Sequence, residues 1–194
     1  IFDPVALPQE YVECFKKMSV EAGFPGIYLV ANVSDNSIKK EVMLQKGYDA
    51  VCYCDILGHA QQNRNTFKHK VFKHLQGILL NRPTHVYDYS KHYKELIGEI
   101  DKDENVIPQI VPQWDHSPRG GRKTNMYIHS TPEYFAKHVR MAMEAIKGKK
   151  EEHQILMLKS WNEWAEGNYM EPDMTHGRGY IDALRQVVDE YKKR

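Results

Sequence analysis

Cysteine is scarce in this 194-residue chain, with Cys14, Cys52 and Cys54 making three. An odd, small number excludes a disulfide framework and fits a reducing compartment. An excess of one charge sign is also missing, because 27 Lys and Arg face 26 Asp and Glu for a formal +1. So balanced a surface creates no field for a polyanion, and nucleic acid is not an expected partner. No run approaches the roughly 18 to 20 apolar residues of a membrane span. No basic stretch followed by an apolar one opens the sequence, so neither a transmembrane segment nor a targeting signal is read from it. What remains is 41% apolar and 27% charged, the mix of an ordinary globular domain. Disorder and collagen are excluded, and the length suits one domain.

Four apolar runs read as strands. Gly26 to Ala31 closes at Asn32, Ala50 to Cys54 stops at Asp55, Val106 to Trp114 ends at Asp115, and Ile155 to Leu158 continues through Lys159 toward Asn162 and Glu163. Continuous rather than alternating apolarity suits strands buried on both faces of a parallel sheet. Pro108 and Pro112 weaken the third run, since proline cannot donate to a ladder. Helical spacing links Val12, Phe15, Met18 and Ala22, then Tyr89, Tyr93, Leu96, Ile97 and Ile100, and finally Tyr180, Ile181, Leu184, Val187, Val188 and Tyr191. Ser130-Thr131-Pro132-Glu133 is the clearest helix start, leading into Phe135, Val139, Ala142 and Ile146. The order predicts a parallel α/β protein, with residues 57 to 86 as an irregular excursion that decorates the sheet. In such folds the strands' C-terminal ends face the binding crevice, and each candidate strand ends in a polar or acidic side chain.

The densest chemistry is Trp161-Asn162-Glu163-Trp164-Ala165-Glu166-Gly167-Asn168-Tyr169-Met170-Glu171-Pro172-Asp173. Work on a glycosidic bond needs a proton donor for the leaving oxygen and a second carboxylate, and Glu163 and Glu166 supply a pair three residues apart. A helical turn would set them at about 5 to 6 Å and an extended chain near 10 Å, so the spacing admits both retaining and inverting geometries. Crowding by Trp161 and Trp164 would raise one carboxyl group and leave the other ionised. Tryptophan and tyrosine faces suit the C–H faces of a sugar, with amides and carboxylates left for its hydroxyls. The competing readings are an acidic aromatic cover over the sheet and a calcium loop of Glu166, Glu171 and Asp173, whose spacing does not match an EF-hand.

That segment, followed by Gly179-Tyr180, resembles the C-terminal signature of the WbsX-type proteins of bacterial surface-polysaccharide biosynthesis. These are usually called glycosyltransferases and are similar to glycoside hydrolase family ninety-nine, the endo-α-mannosidases. Pro112-Gln113-Trp114-Asp115-His116-Ser117-Pro118-Arg119 resembles a second block of the same group. The resemblance implies a (β/α)8 TIM-type barrel whose last four units are present here, so that residues 1 to 194 form the C-terminal part of one glycoside hydrolase-like domain. It also implies Glu166 as acid/base and Glu163 as the carboxylate acting through the sugar's 2-hydroxyl. Asp115 and Arg119 become sugar-binding or charge-positioning groups, and Asn32 and Asp55 further candidates. Trp114, Trp161, Trp164, Asn162, Tyr169, Glu171 and His116 complete the expected substrate site. Ala165 departs from the mannosidases, which commonly carry His there.

The expected substrate is an oligosaccharide or polysaccharide, without metal or organic cofactor. The expected location is cytoplasmic, at most peripheral to the inner membrane. A barrel of this kind takes about 250 residues. Half of one exposes an apolar interior and sheet edges, so the missing half, or another copy, is the expected partner. Two rivals stand beside a hydrolase or transglycosylase: a nucleotide-sugar glycosyltransferase of lipopolysaccharide O-antigen synthesis, and a non-catalytic carbohydrate-binding or scaffold domain. The basic patch Lys68, His69, Lys70, Lys73 and His74 reads as a solvated face, and Cys52 and Cys54 as buried small apolar residues. Gly177-Arg178-Gly179 reads as a turn, and Arg119-Gly120-Gly121-Arg122-Lys123 as a solvated basic loop.

Overall fold

The structure, a computed structural model, describes residues 1, 3–54, 85–121 and 124–193. In chain order it contains α1 (Gln9–Glu21), β1 (Val30–Val33), α2 (Lys40–Gln45), β2 (Ala50–Tyr53), β3 (His85–Asp88), α3 (Tyr89–His92), β4 (Gln109–Ile110), α4 (Ser117–Gly120), β5 (Asn125–Ile128), α5 (Pro132–Ile146), β6 (Met157–Leu158), β7 (Asn162–Glu163), β8 (Asn168–Tyr169) and α6 (Gly179–Lys192). The helix α5 starts where its sequence signal lies: the Thr131 hydroxyl accepts from the Tyr134 N–H at 3.3 Å, and Pro132 occupies the first turn.

Parallel pairing links β1, β2, β4 and β6, while β3 and β5 pair with each other. Val30 to Val33 of β1 register against Ala50 to Tyr53 of β2. Val51 bridges in parallel to Val106, whose chain continues into β4, and β4 pairs with β6 through Gln109 with Met157 and Ile110 with Leu158. One face of this array packs Ala31, Val33, Val51 and Val106 against Val12 and Met43. Farther along, Ile110 packs with Phe135, Val139 and Ala142 of α5 and with Tyr180, Ala183 and Val187 of α6. Burying such side chains contributes about 1.5 to 3 kcal/mol each.

The structure corrects several expectations. The third predicted strand keeps regular pairing only at Gln109–Ile110, because Pro108 and Pro112 remove ladder donors on either side. The Tyr89 to Ile100 stripe is a four-residue helix and two 3-10 turns rather than one helix. β3 begins inside the segment read as an excursion, and β5 lies where no element was predicted. The two form a separate parallel pair, His85 opposite Asn125 through Asp88 opposite Ile128. β1 runs through Asn32 to Val33, so Asn32 sits within the strand rather than after it. Asp55 and the Lys68 to His74 patch lie outside the described residues.

Candidate functional site

The site forms where two distant motifs meet. Beyond β6, β7 and β8 make an antiparallel hairpin, Asn162 opposite Tyr169 and Glu163 opposite Asn168. A 3-10 turn, Trp164–Glu166, joins them. The Glu163 N–H donates to the Ser160 hydroxyl at 3.1 Å, and the Gly167 N–H closes the turn on the Trp164 carbonyl at 3.0 Å. In a 3-10 turn residues three apart eclipse, which brings Glu163 and Glu166 to one side. The Trp114-Asp115-His116 segment is stitched between this turn and β5. Asp115 N–H donates to the Glu166 carbonyl at 2.8 Å, Tyr127 N–H to the Trp114 carbonyl at 2.7 Å, and His116 N–H to the Asn125 carbonyl at 3.2 Å.

Gly167 makes the junction possible. Its φ is +52°, and a Cβ there would lie 3.3 Å from both the Asp115 N and Cβ. Gly167→Ala is expected to lower stability by about 1 to 2 kcal/mol and to push the Glu166 carbonyl off Asp115. Thermal melts and the Trp114 indole resonance check this. An unchanged melting temperature with an unmoved indole signal would contradict it.

Around Glu166 the polar contacts converge. Arg119 Nη1 donates at 2.8 Å, Trp114 Nε1 at 3.2 Å, and His116 Nε2 lies 3.3 Å away. The same Arg119 nitrogen is 4.0 Å from Glu163 Oε1. The His116 ring stacks over Trp114, with centroids 6.0 Å apart and planes 23° apart. Partial burial works to raise the Glu166 carboxyl group. The hydrogen bonds from Arg119 and Trp114, with the charges of His116 and Arg119, outweigh it and hold the group below the ordinary glutamate range. This reverses the expectation that tryptophan crowding protonates one of the pair, because Trp114 points its N–H, not its face, at the carboxylate. The tryptophan that does so lies in the other motif, 52 positions away.

Other expected residues take mixed positions. Trp164 stacks on Tyr169 with centroids 3.8 Å apart, and its N–H donates to Glu171 at 2.6 Å. One Glu171 oxygen is thereby committed to holding the aromatic ring. Trp161 and Trp164 are each about half exposed, at 50% and 49%. Asn162 is exposed at the start of the hairpin. Asp115 spends one carboxylate oxygen on its own loop, accepting from the Ser117 N–H at 2.9 Å and the Ser117 hydroxyl at 2.5 Å. That contact fixes the loop carrying Arg119, so Asp115 acts on its own chain before it acts on a ligand. The Asn32 carboxamide accepts from the Cys54 thiol on the β1–β2 pair. Lys159, which the sequence reading did not single out, places its ammonium 4.4 Å from the centre of the Trp114 ring. Among the described residues, no cluster of His, Cys, Asp and Glu gathers to hold a metal ion.

The family profile described as Glycosyltransferase WbsX matches residues 1–184. The chain belongs to the WbsX family. Two relatives, each named Uncharacterized protein WxcX and from two strains of Xanthomonas campestris pv. campestris, are 29% identical over 104 residues and 32% identical over 101. The matches cover 53% and 50% of this WbsX-family chain but only 15% and 14% of the relatives. A solved structure described as a glycoside hydrolase-like protein aligns with a TM-score of 0.55 at 15% identity, covering 94% of this chain and 50% of that one. At that identity the likeness shows the fold alone: the WbsX chain shares a mixed α/β architecture with a protein twice the matched length. Among the described residues no helix is long and apolar enough to cross a membrane.

Proposed function

We propose that this WbsX-family chain carries the catalytic carboxylates of an enzyme that makes or breaks glycosidic bonds in surface-polysaccharide metabolism. Glu166 is the acid/base and Glu163 its partner. The observation that carries the reading is that both carboxylates lie within 4.0 Å of one guanidinium nitrogen, Arg119 Nη1, at the mouth beyond the last parallel strand. Their near oxygens can be no farther apart than those two contacts together. That limit admits the retaining spacing of about 5 to 5.5 Å.

Glu166 protonates the leaving oxygen while Glu163 takes the proton of the sugar's 2-hydroxyl, whose oxygen closes on the anomeric carbon. Water, giving its proton to Glu166, then opens that bond, and Glu163 returns the 2-hydroxyl proton. Arg119 is 59% exposed on its side chain, free enough to leave Glu166 when saccharide hydroxyls take its place. Its departure removes the strongest stabiliser of the carboxylate and lets Glu166 hold a proton. Half-exposed Trp161 and Trp164 offer apolar faces to neighbouring sugar rings. An acceptor hydroxyl in place of water turns the same chemistry from hydrolysis to transfer. Incubation of an oligosaccharide panel in ¹⁸O-water, read by mass spectrometry, tests this. Label at a new reducing end marks hydrolysis, unlabelled longer products mark transfer, and an unchanged panel contradicts the reading.

We further propose that the chain is the C-terminal four units of a (β/α)8 barrel. The parallel array of β1, β2, β4 and β6 and the double length of the aligned structure support this. Phe15, Met18 and Phe24 on and after α1 are 45%, 55% and 62% exposed, an apolar surface without cover. Sedimentation of the isolated chain is expected to give species heavier than its 22.7 kDa at micromolar concentration. A stable monomer with one cooperative melt would contradict the half-barrel assignment.

A further inference from the structure

Side-chain alternation along β6 separates two environments. Leu156 and Leu158 pack into the cluster of α5 and α6, so Ile155, Met157 and Lys159 turn to the opposite face. That face also carries Ala50, Cys52 and Ile107, with Ile155 packed against them. Lys159 is therefore a cation at the C-terminal end of a parallel strand, on the face away from the helices, where ligands of parallel α/β folds bind. The Lys159 N–H extends the ladder by donating to the Ile110 carbonyl at 2.9 Å, which fixes the direction of its side chain.

Lys159 is partly buried and, among the described residues, its ammonium has no carboxylate partner; it lies 4.4 Å from the centre of the Trp114 ring. Glu166 does not need it, being matched already by Arg119 and His116. On the neighbouring strand Gln109, in register with Met157, is only 8% exposed. Its carboxamide oxygen has no hydrogen-bond partner, and its nitrogen reaches only as far as the Cys52 sulfur at 4.0 Å. Burial pushes the Cys52 thiol up to about 12, with Cys54 and Asp101 adding and Lys159 opposing, so the lysine charge is felt on the same face. A buried acceptor without a partner, beside a partly buried cation without a carboxylate, is expensive unless a ligand completes them.

We infer that Lys159 is the specificity residue for an anionic substituent on the saccharide, a uronate carboxylate or a sugar phosphate, with Gln109 accepting a hydroxyl of the same unit. The inference rests on the carbohydrate reading above and adds the charge of the sugar. Through Trp114, whose N–H donates to Glu166, the anion sits one ring from the carboxylate pair. A charge-assisted hydrogen bond in this setting is expected to favour charged over neutral sugar about tenfold or more.

The test follows the Trp114 indole N–H resonance of the full chain during titration with glucuronate, glucose 1-phosphate, inorganic phosphate and glucose. Glucuronate or glucose 1-phosphate is expected to move the signal at a concentration at least about tenfold lower than glucose. Lys159→Met abolishes that preference and Lys159→Arg keeps it. Preference for glucuronate assigns the anion to a carboxylate, and preference for glucose 1-phosphate to a phosphoryl group. Equal response to glucose and the charged sugars overturns the inference and leaves the carbohydrate reading standing. Response to inorganic phosphate and no sugar keeps an anion site but overturns the saccharide assignment. No response to any probe overturns both. The comparison of probes on the unsubstituted chain decides these outcomes even if Lys159→Met fails to fold.

Discussion

Glu166→Gln is expected to lower turnover of a saccharide substrate by about 10³-fold while leaving saccharide affinity within a few-fold of the parent. Arg119 and Trp114 donate to different oxygens of Glu166, at 2.8 and 3.2 Å, so the amide oxygen keeps one of these contacts and the exposed Arg119 can shift from the new NH2 while the side chain keeps its shape. What it loses is the transferable proton, and among the described residues no other carboxyl group contacts both Trp114 and Arg119 to replace it. Glu163→Gln is expected to cost about 10²-fold or more by removing the base for the 2-hydroxyl, again with binding retained. Affinity by titration and turnover by product analysis must be read together. A pure binding module shows saccharide affinity and no turnover to lose, and a scaffold shows neither.

Acid pH is expected to destabilise the fold by about 3 kcal/mol through His138 alone. His138 is fully buried on α5, with Nδ1 2.9 Å from the Tyr89 hydroxyl, which itself donates to the Val111 carbonyl at 2.7 Å. With that hydroxyl proton committed, Nδ1 carries the hydrogen and the ring is neutral. Burial pulls the imidazole from 6.5 down to about 4, against smaller opposing contributions from the Val111 and Gln109 backbones. The unfolded chain therefore binds a proton that the folded chain refuses between pH 6.5 and about 4. The stabilisation is complete above pH 6.5 and is lost as pH falls through that window. Chemical denaturation at pH 7 and pH 4.5 measures it. His138→Met is expected to remove this part of the slope, leaving the carboxylates to account for the rest at lower pH. Identical slopes in parent and variant would contradict the assignment.

Much of the architecture is legible in the sequence where local signals and tertiary demands agree. Thr131-Pro132 starts α5, and the apolar spacing of Phe135, Val139 and Ala142 is the face that meets α6. Continuous apolarity at Ala50 to Tyr53 matches a fully buried strand. The signal weakens where partners far along the chain decide. β5 holds only Met126, Tyr127 and Ile128 as apolar residues, and it is a strand because β3 and the Trp114 segment offer it carbonyls and N–H groups on both sides. On α1, spacing correctly gives a helix, yet Phe15 and Met18 on its apolar stripe remain exposed while Val12 is buried. Periodicity reports which face is apolar and not what covers it.

The candidate site divides in the same way. Glu163, Glu166 and the aromatic residues could be read from spacing and residue type. The ionisation of Glu166 could not, because it depends on the direction of one indole N–H and one guanidinium from another motif. Asp115 was legible as a polar strand end, but its bonds to Ser117 turn half of its carboxylate inward to the loop. Lys159 was hidden by its setting in the sequence, where a lysine after a short apolar strand looks like the start of a solvated loop. Only the alternation from Leu156 and Leu158 turns it toward the crevice.

The most direct measurement of the central claim is a crystal structure of Glu166→Gln in the assembled protein, soaked with an oligosaccharide that it binds without turning over. The account predicts a glycosidic oxygen within about 3.2 Å of residue 166, a sugar 2-hydroxyl against Glu163, and Arg119 displaced from its present contact. A saccharide bound elsewhere, with Arg119 still closed on residue 166 and Glu163 in solvent, would contradict it.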